Sequence, residues 1–185
     1  MPFIGNKPSA VPLTSADIAD GIITSAKIVD GTIVNADINA SAGIVGTKLG
    51  AGAVLQVVGA TDTTQRSTTS TSFVTASSTL SINITPSSAS NKIFIIYNTY
   101  AYATIGSILT TIFRDSTNVA NSNGLGRFGT GGGTLDGHIC TSFLDSPSTT
   151  SSINYTVRFK ANTTATAYIG DNTETSTLTA FEIAG

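Results

Sequence analysis

Large aliphatic side chains recur every five positions near the start of the chain, at Leu13, Ile18, Ile23, Ile28, Ile33 and Ile38. After a one-residue slip at Gly43 they resume at Ile44, Leu49 and Val54. A small residue stands two positions before most of them (Ala16, Gly21, Ala26, Gly31, Ala36, Ala42 and Gly52), and Asp17, Asp20, Lys27, Asp30, Asn35, Asp37 and Lys48 fall between. Two such steps make a ten-residue phrase, SADIADGIIT, repeated as SAKIVDGTIV and then imperfectly as NADINASAGIV. A period of five matches neither the 3.6 of a helix nor the 2.0 of a strand. The pairs Asp20-Gly21 and Asp30-Gly31 are turn signals that argue against one continuous helix. The pattern predicts a repeat architecture in which no unit buries its own apolar row alone.

Two arrangements bury such a row. The small-x-aliphatic pattern resembles pentapeptide-repeat proteins, which wind into a square β-solenoid with the aliphatic residue inside. That resemblance covers residues 11–54, about two coils, where stacked repeats ordinarily need three or more units. The other arrangement buries the row against copies of itself: three chains around an axis each supply one aliphatic residue per layer, and Asp, Asn and Lys face out. A thin segment with so little core of its own gains more from self-association. The threefold arrangement is therefore the expectation, and Leu13 through Val54 are its core candidates.

From Leu55 onward the pattern shortens to a period of two. It predicts strands at 55–60, 72–77, 80–85, 92–103, 107–115, 137–145, 153–161, 165–170 and 176–185, separated by clusters rich in Ser, Thr, Asn and Gly. In INYTVRF, Ile153, Tyr155, Val157 and Phe159 share one face while Asn154, Thr156 and Arg158 share the other. KIFIIY is apolar on both faces, as a strand covered on both sides would be. Pro86 and Pro147 end the strands before them. No amphipathic helix of useful length is predicted. The expected fold is all-β: an extended stalk, then an antiparallel β-sandwich of the jelly-roll kind.

Composition narrows the function. Charged residues make up 11% of the 185 and the net charge is −2, against about a quarter charged in typical soluble domains. No basic stripe is present, which argues against nucleic-acid binding. No apolar run is long enough for a membrane span, and the N-terminus lacks the pattern of a secretory signal. The expectation is synthesis in a cytosol without membrane insertion. One cysteine, Cys140, excludes an internal disulfide. Little charge repulsion between copies suits assembly.

Candidate chemistry is sparse. GLGRFG at 124–129 fits G-x-G-x-x-G, but TGGGT follows where a dinucleotide site needs a helix. It reads instead as a loop joining strands, with Arg127 and Phe128 as candidates for receptor contact. His138 and Cys140 lie two apart on one strand face and read as a satisfied core pair rather than a nucleophile or half a metal site. Asp136 and Asp145 are too far apart along a strand for a glycosidase pair, and Asp171, Asn172 and Glu174 read as a solvated loop. Tyr97 lies on one face of its strand and Tyr100 and Tyr102 on the other; all three are candidates for a subunit interface or a glycan-binding face. No cofactor or metal is expected, and the chain reads as non-enzymatic.

The phrases TPSSASNKI, LDSPSTTSSINYTV and STLTAFEIAG, in that order over residues 55–185, resemble a domain widespread in tailed bacteriophages, notably those of cyanobacteria and other marine bacteria. The opening MPFIGNKP is similar to the N-termini of such proteins, and the repeat resembles their shafts. The resemblance implies a homotrimer with a jelly-roll head akin to tumour-necrosis-factor-like heads, exposed on the virion surface. The expected organisation is an anchoring arm at 1–12, which meets other virion proteins through Pro2, Phe3 and Ile4, a stalk at 13–54 and a head at 55–185. The expected function is a tail fibre whose head contacts a host-surface glycan or protein. A capsid decoration or head-fibre protein is the alternative.

Overall fold

KIFIIYNTYAYA, whose first half is apolar on both faces, forms the longest strand of the computed structural model, Lys92–Ala103; its odd positions face the interior, and its other face is not buried within the chain. The structure describes residues 14–39, 41–44, 48–130, 133–163 and 165–185. The chain divides into two units, Met1–Ile44 and Val45–Gly185.

The second unit is all-β. Its strands are β1 (Val54–Asp62), β2 (Arg66–Thr68), β3 (Val74–Thr75), β4 (Ser81–Ile84), β5 (Lys92–Ala103), β6 (Gly106–Arg114), β7 (Thr117–Asn118), β8 (Gly126–Thr130), β9 (Leu135–Asp145), β10 (Ile153–Ala161), β11 (Ala167–Ile169) and β12 (Ser176–Ile183). Val54, which the five-residue period assigns to the repeat, opens β1 and pairs with Ile183. The short strands β2 and β7, and the glycine-rich β8, fall in segments that the sequence pattern leaves as loops.

Two antiparallel sheets result. In the first, β9 runs along one side of β5; β12 and β11 share the other side in tandem, with β1 and β2 outside them. In the second, β10 pairs with β6; β4 and β3 line the far side of β10, and β7 and β8 line that of β6. With tandem pieces counted as one position, one set of pairings is nested, β1 and β2 with β12 and β11, β3 and β4 with β10, β5 with β9, and β6 with β7 and β8, while β5 with β12 and β11 and β6 with β10 complete the two sheets.

Alternation decides what faces the interior. Ile93, Ile95, Tyr97, Ala101 and Ala103 of β5 meet Ile153, Tyr155, Val157, Phe159 and Ala161 of β10, with Ile108, Ile112, Ile82, Ile84, Leu178 and Ala180 around them, all buried. Full burial of each large aliphatic or aromatic side chain contributes about 1.5–3 kcal/mol.

Three acidic side chains also point inward, and each is met by several hydrogen-bond donors. Asp145 of β9 accepts Arg114 Nη1 at 2.9 Å on both carboxylate oxygens and the Tyr155 hydroxyl at 2.5 Å, so the first sheet is tied to β6 and β10 of the second. Burial, then donation to Asp145, pushes the Tyr155 phenol well above its usual pKa. Glu182 of β12 accepts Asn91 Nδ2 at 2.5 Å, Gln56 Nε2 at 2.5 Å, and the Ser87 backbone N–H and hydroxyl at 2.6 and 2.9 Å. Burial alone would raise its pKa, but the donors from Asn91, Gln56 and Ser87 outweigh it and the net shift is downward. Asp62 at the end of β1 accepts Ser77 Oγ, the Thr64 backbone N–H at 2.9 Å and Arg66 Nη2 at 3.2 Å. Burial pushes its carboxyl up, yet the hydrogen bonds from Ser77, Thr64 and Thr79 hold it down at about 2.

The first unit is built from turns. Short 3₁₀ turns at Ser15–Asp17, Ser25–Lys27 and Asn35–Asp37 recur every ten residues. Asp17 accepts the Thr14 backbone N–H at 2.8 Å and Asp37 that of Val34 at 2.9 Å. Between these lie turns closed by Ile22 N–H to Ala19 O and Thr32 N–H to Val29 O. Gly21 and Gly31 take φ of 77° and 78° at their third position, as a type II turn requires. The Asp-Gly pairs thus form the expected turns, and each of the first two ten-residue phrases is one 3₁₀ turn plus one Asp-Gly turn.

Two outcomes follow from the buried carboxylates. A carboxyl with a depressed folded pKa adds stability above its unfolded pKa and loses it as pH falls through the folded one. Urea unfolding of the chain should therefore show stability steady near pH 6 and falling between about pH 4 and pH 2, with Glu182→Gln flattening part of that slope. Asp145→Asn leaves Arg114 without its counter-charge and should lower the unfolding free energy by about 2–4 kcal/mol in the same measurement.

Candidate functional site

A two-sheet sandwich has two outer faces, and an antiparallel sheet ordinarily keeps its outer face polar. The second sheet does so. On it Arg158 stacks over the Phe113 ring at 3.9 Å, Lys160 sits 4.7 Å from the Phe73 ring centre, and Asn154 Nδ2 donates to Ser81 Oγ and Asn83 Oδ1 at 2.9 Å.

The first sheet does not. Register places Val57, Phe181, Phe94 and Leu144 in one row across all four of its positions. Val57 is 55% exposed and Leu144 48%, and the Phe94 and Phe181 rings lie 6.3 Å apart between them. Ile96 and Thr179 follow in the next row, then Asn98, Thr177 and Cys140. Charged groups on this face keep to its ends: Lys92 at one, and Asp136 and His138, the latter paired with Glu174 of the β11–β12 turn, at the other.

The end carrying those acids is aromatic. Tyr102 and Tyr168 are neighbours on β5 and β11 with ring centres 5.3 Å apart. Tyr100 sets its ring edge-on to His138 at 6.0 Å and donates its hydroxyl to Asp136 at 2.9 Å, which together with burial and the charges of Asp136, Asp171 and Glu174 raises its pKa. His138 Nε2 lies 2.9 Å from Glu174. The neighbouring Asp171 folds its own turn, accepting from the Thr173 hydroxyl at 2.7 Å and the Thr173 and Glu174 backbone N–H groups at 2.6 Å. The Thr173 bonds, hydroxyl first, lower its pKa.

The sequence candidates divide as follows. Tyr100 and Tyr102 lie on the open face, whereas Tyr97 points into the core and is almost fully buried, which removes it from any surface. Burial pushes its phenol well above the usual range. His138 and Cys140 share a face as alternation predicts, but it is the outer one; both are exposed, so they are not a core pair. Asp136 and Asp145 lie on opposite faces of β9, nine positions apart and thus of opposite parity. Among the described residues no group of three or more His, Cys, Asp or Glu side chains is placed to hold a metal. Pro2, Phe3, Ile4 and Leu13 lie outside the described residues. Ile18, Ile23, Ile28, Ile33, Ile38, Ile44 and Leu49 are between 37% and 54% exposed in the single chain.

Arg127 and Phe128 are not in a loop but on β8, paired with Leu109 and Ile108. Phe128 packs against the core, and Arg127 is exposed, its Nε donating to Ser107 Oγ at 3.2 Å. The glycines of GLGRFG make this strand possible. A Cβ on Gly126 would lie 2.6 Å from Thr110 Oγ1, and one on Gly129 would lie 2.2 Å from the Gly106 carbonyl. The motif serves close approach of two strands, not a phosphate.

No protein-family profile matches the chain, and no curated protein matches it. Among solved structures it is similar to VP2 in the crystal structure of the infectious bursal disease virus VP2 subviral particle, with a TM-score of 0.38 and 17% identity. That alignment covers 70% of this chain, which spans 37% of the VP2 chain.

Substitution should separate the two readings of GLGRFG. Gly129→Ala places a methyl group against the backbone of β6, and a loss of about 2–3 kcal/mol in denaturant unfolding is expected; a loss under about 0.5 kcal/mol would return the segment to a loop.

Proposed function

We propose that this chain is a non-enzymatic structural protein of a phage virion: a homotrimeric tail fibre whose repeats form a stalk and whose jelly-roll sandwich is a head for host-surface attachment. The observation that carries the reading is the apolar row Val57, Phe181, Phe94 and Leu144 on the open face of the first sheet. A solitary domain seldom leaves a contiguous apolar row in water, because each such side chain forgoes about 1 kcal/mol or more when half exposed. A second and a third copy would cover it. The half-exposed aliphatic side chains of the repeat have the same need, and three chains around an axis would cover them. The nested strand pairing, first position with last, supports the jelly-roll assignment. In this arrangement the first sheet faces the neighbouring copies, Tyr100 and Tyr102 are interface residues, and the N-terminal arm joins the stalk to other virion proteins. Three heads on one stalk give avidity for a host glycan or protein.

Light scattering of the purified chain should give about 56 kDa, three times its 18.8 kDa. Phe94→Glu, which puts a charge in the centre of the covered row, should shift that mass toward 18.8 kDa while the β circular-dichroism spectrum is kept. A wild-type monomer would remove the basis of the fibre reading.

A further inference from the structure

We infer that the outer face of the second sheet is a binding surface for an acidic, carboxylate-bearing polysaccharide, held by Arg127, Arg158 and Lys160. This rests on the reading of the sandwich as a host-contacting head and names the class of ligand it takes. Register sets Lys160, Leu109 and Arg127 side by side on β10, β6 and β8, with Arg158 one pleat along β10 beside Thr111. Lys160 and Arg158 are thus about 7 Å apart along the strand, and Lys160 and Arg127 about 10 Å apart across two strand spacings.

The chain as a whole is acidic, at −2, yet these three cations form no ion pair among the described residues. The nearest carboxylates are spent elsewhere. Asp145 lies on the inner side, bound to Arg114. Asp115 sits beyond the end of β6, four residues from Thr111, and accepts the Asn154 backbone N–H at 3.1 Å. No carboxylate among the described residues pairs with these three cations.

The cations are also held in place before any ligand arrives. Arg158 Cζ lies over the Phe113 ring, 3.9 Å from its centre, and its buried Nε–H meets no acceptor among the described residues. Lys160 is fixed by the Phe73 ring and by donation to the Ser122 carbonyl at 2.7 Å. Immobilised cations lose less freedom on binding than free ones. A guanidinium fork matches a carboxylate in two parallel hydrogen bonds. Three cations fall short of the roughly six or more phosphate contacts of a nucleic-acid surface, which favours a polysaccharide.

The test uses the full chain, polygalacturonate as the acidic probe, and dextran and a short DNA duplex as comparators, with binding followed calorimetrically at low and at near-physiological salt. Polygalacturonate should bind, more weakly as salt rises, and dextran should not. Arg127→Gln combined with Lys160→Gln should weaken binding at least tenfold with the melting temperature unchanged, and Arg158→Gln should do the same wherever it leaves the spectrum intact. Absence of polygalacturonate binding, binding unchanged in the double variant, or tighter binding of the duplex would each overturn the inference. Native mass is measured on the same sample. A trimer that does not bind sinks this inference alone, and a monomer that binds sinks the trimeric fibre alone.

Discussion

Asp145 sits at an inward position of a strand in one sheet and holds Arg114 and Tyr155 of the other. A carboxylate in that position is costly unless its charge and lone pairs are met, so the two sheets must stack with β9 over the ends of β6 and β10. Glu182 and Asp62 make the same demand at other points of the sandwich, through Ser87 and Asn91 in one case and Ser77 in the other. Apolar burial supplies the larger energy but is non-directional. The carboxylates are not, since a displaced partner leaves a buried charge uncovered. These three ties set the alignment on which both outer faces depend.

That alignment leaves two unlike surfaces. One carries an apolar row that ends in a cluster of tyrosines, and the other carries cations resting on aromatic rings. The contrast supports a division of labour between copies of the chain on one side and an external ligand on the other. GLGRFG belongs to the same economy of space, since its glycines let β8 lie close enough against β6 for Arg127 to stand in line with Lys160.

Much of this was legible from residue order. The long strands were: alternation in INYTVRFKA leaves one choice of inward face, whereas KIFIIY, apolar on both faces, was legible as a strand without its inward side; the Asp-Gly turns of the repeat were legible for the same local reason. The phrases that resemble phage fibre domains, TPSSASN, LDSPS and the closing STLTAFEIAG, prove to contain Ser87, Asn91, Asp145 and Glu182, the members of the buried clusters. What the phrases were for was hidden, because the partners in each cluster lie between 10 and 126 residues apart.

The sequence by itself determined which residues alternate, where the chain turns, and that charge is scarce, since these depend on neighbours within a few positions. Only the tertiary structure decided that Tyr97 is core while Tyr100 is surface, that His138 and Cys140 face outward, and that a glycine-rich motif is a strand. It alone brought Lys160 beside Arg127 and set Val57 in one row with Leu144. Those outcomes depend on strand register and on which face of each sheet is covered, and both are set by contacts between segments far apart in the chain.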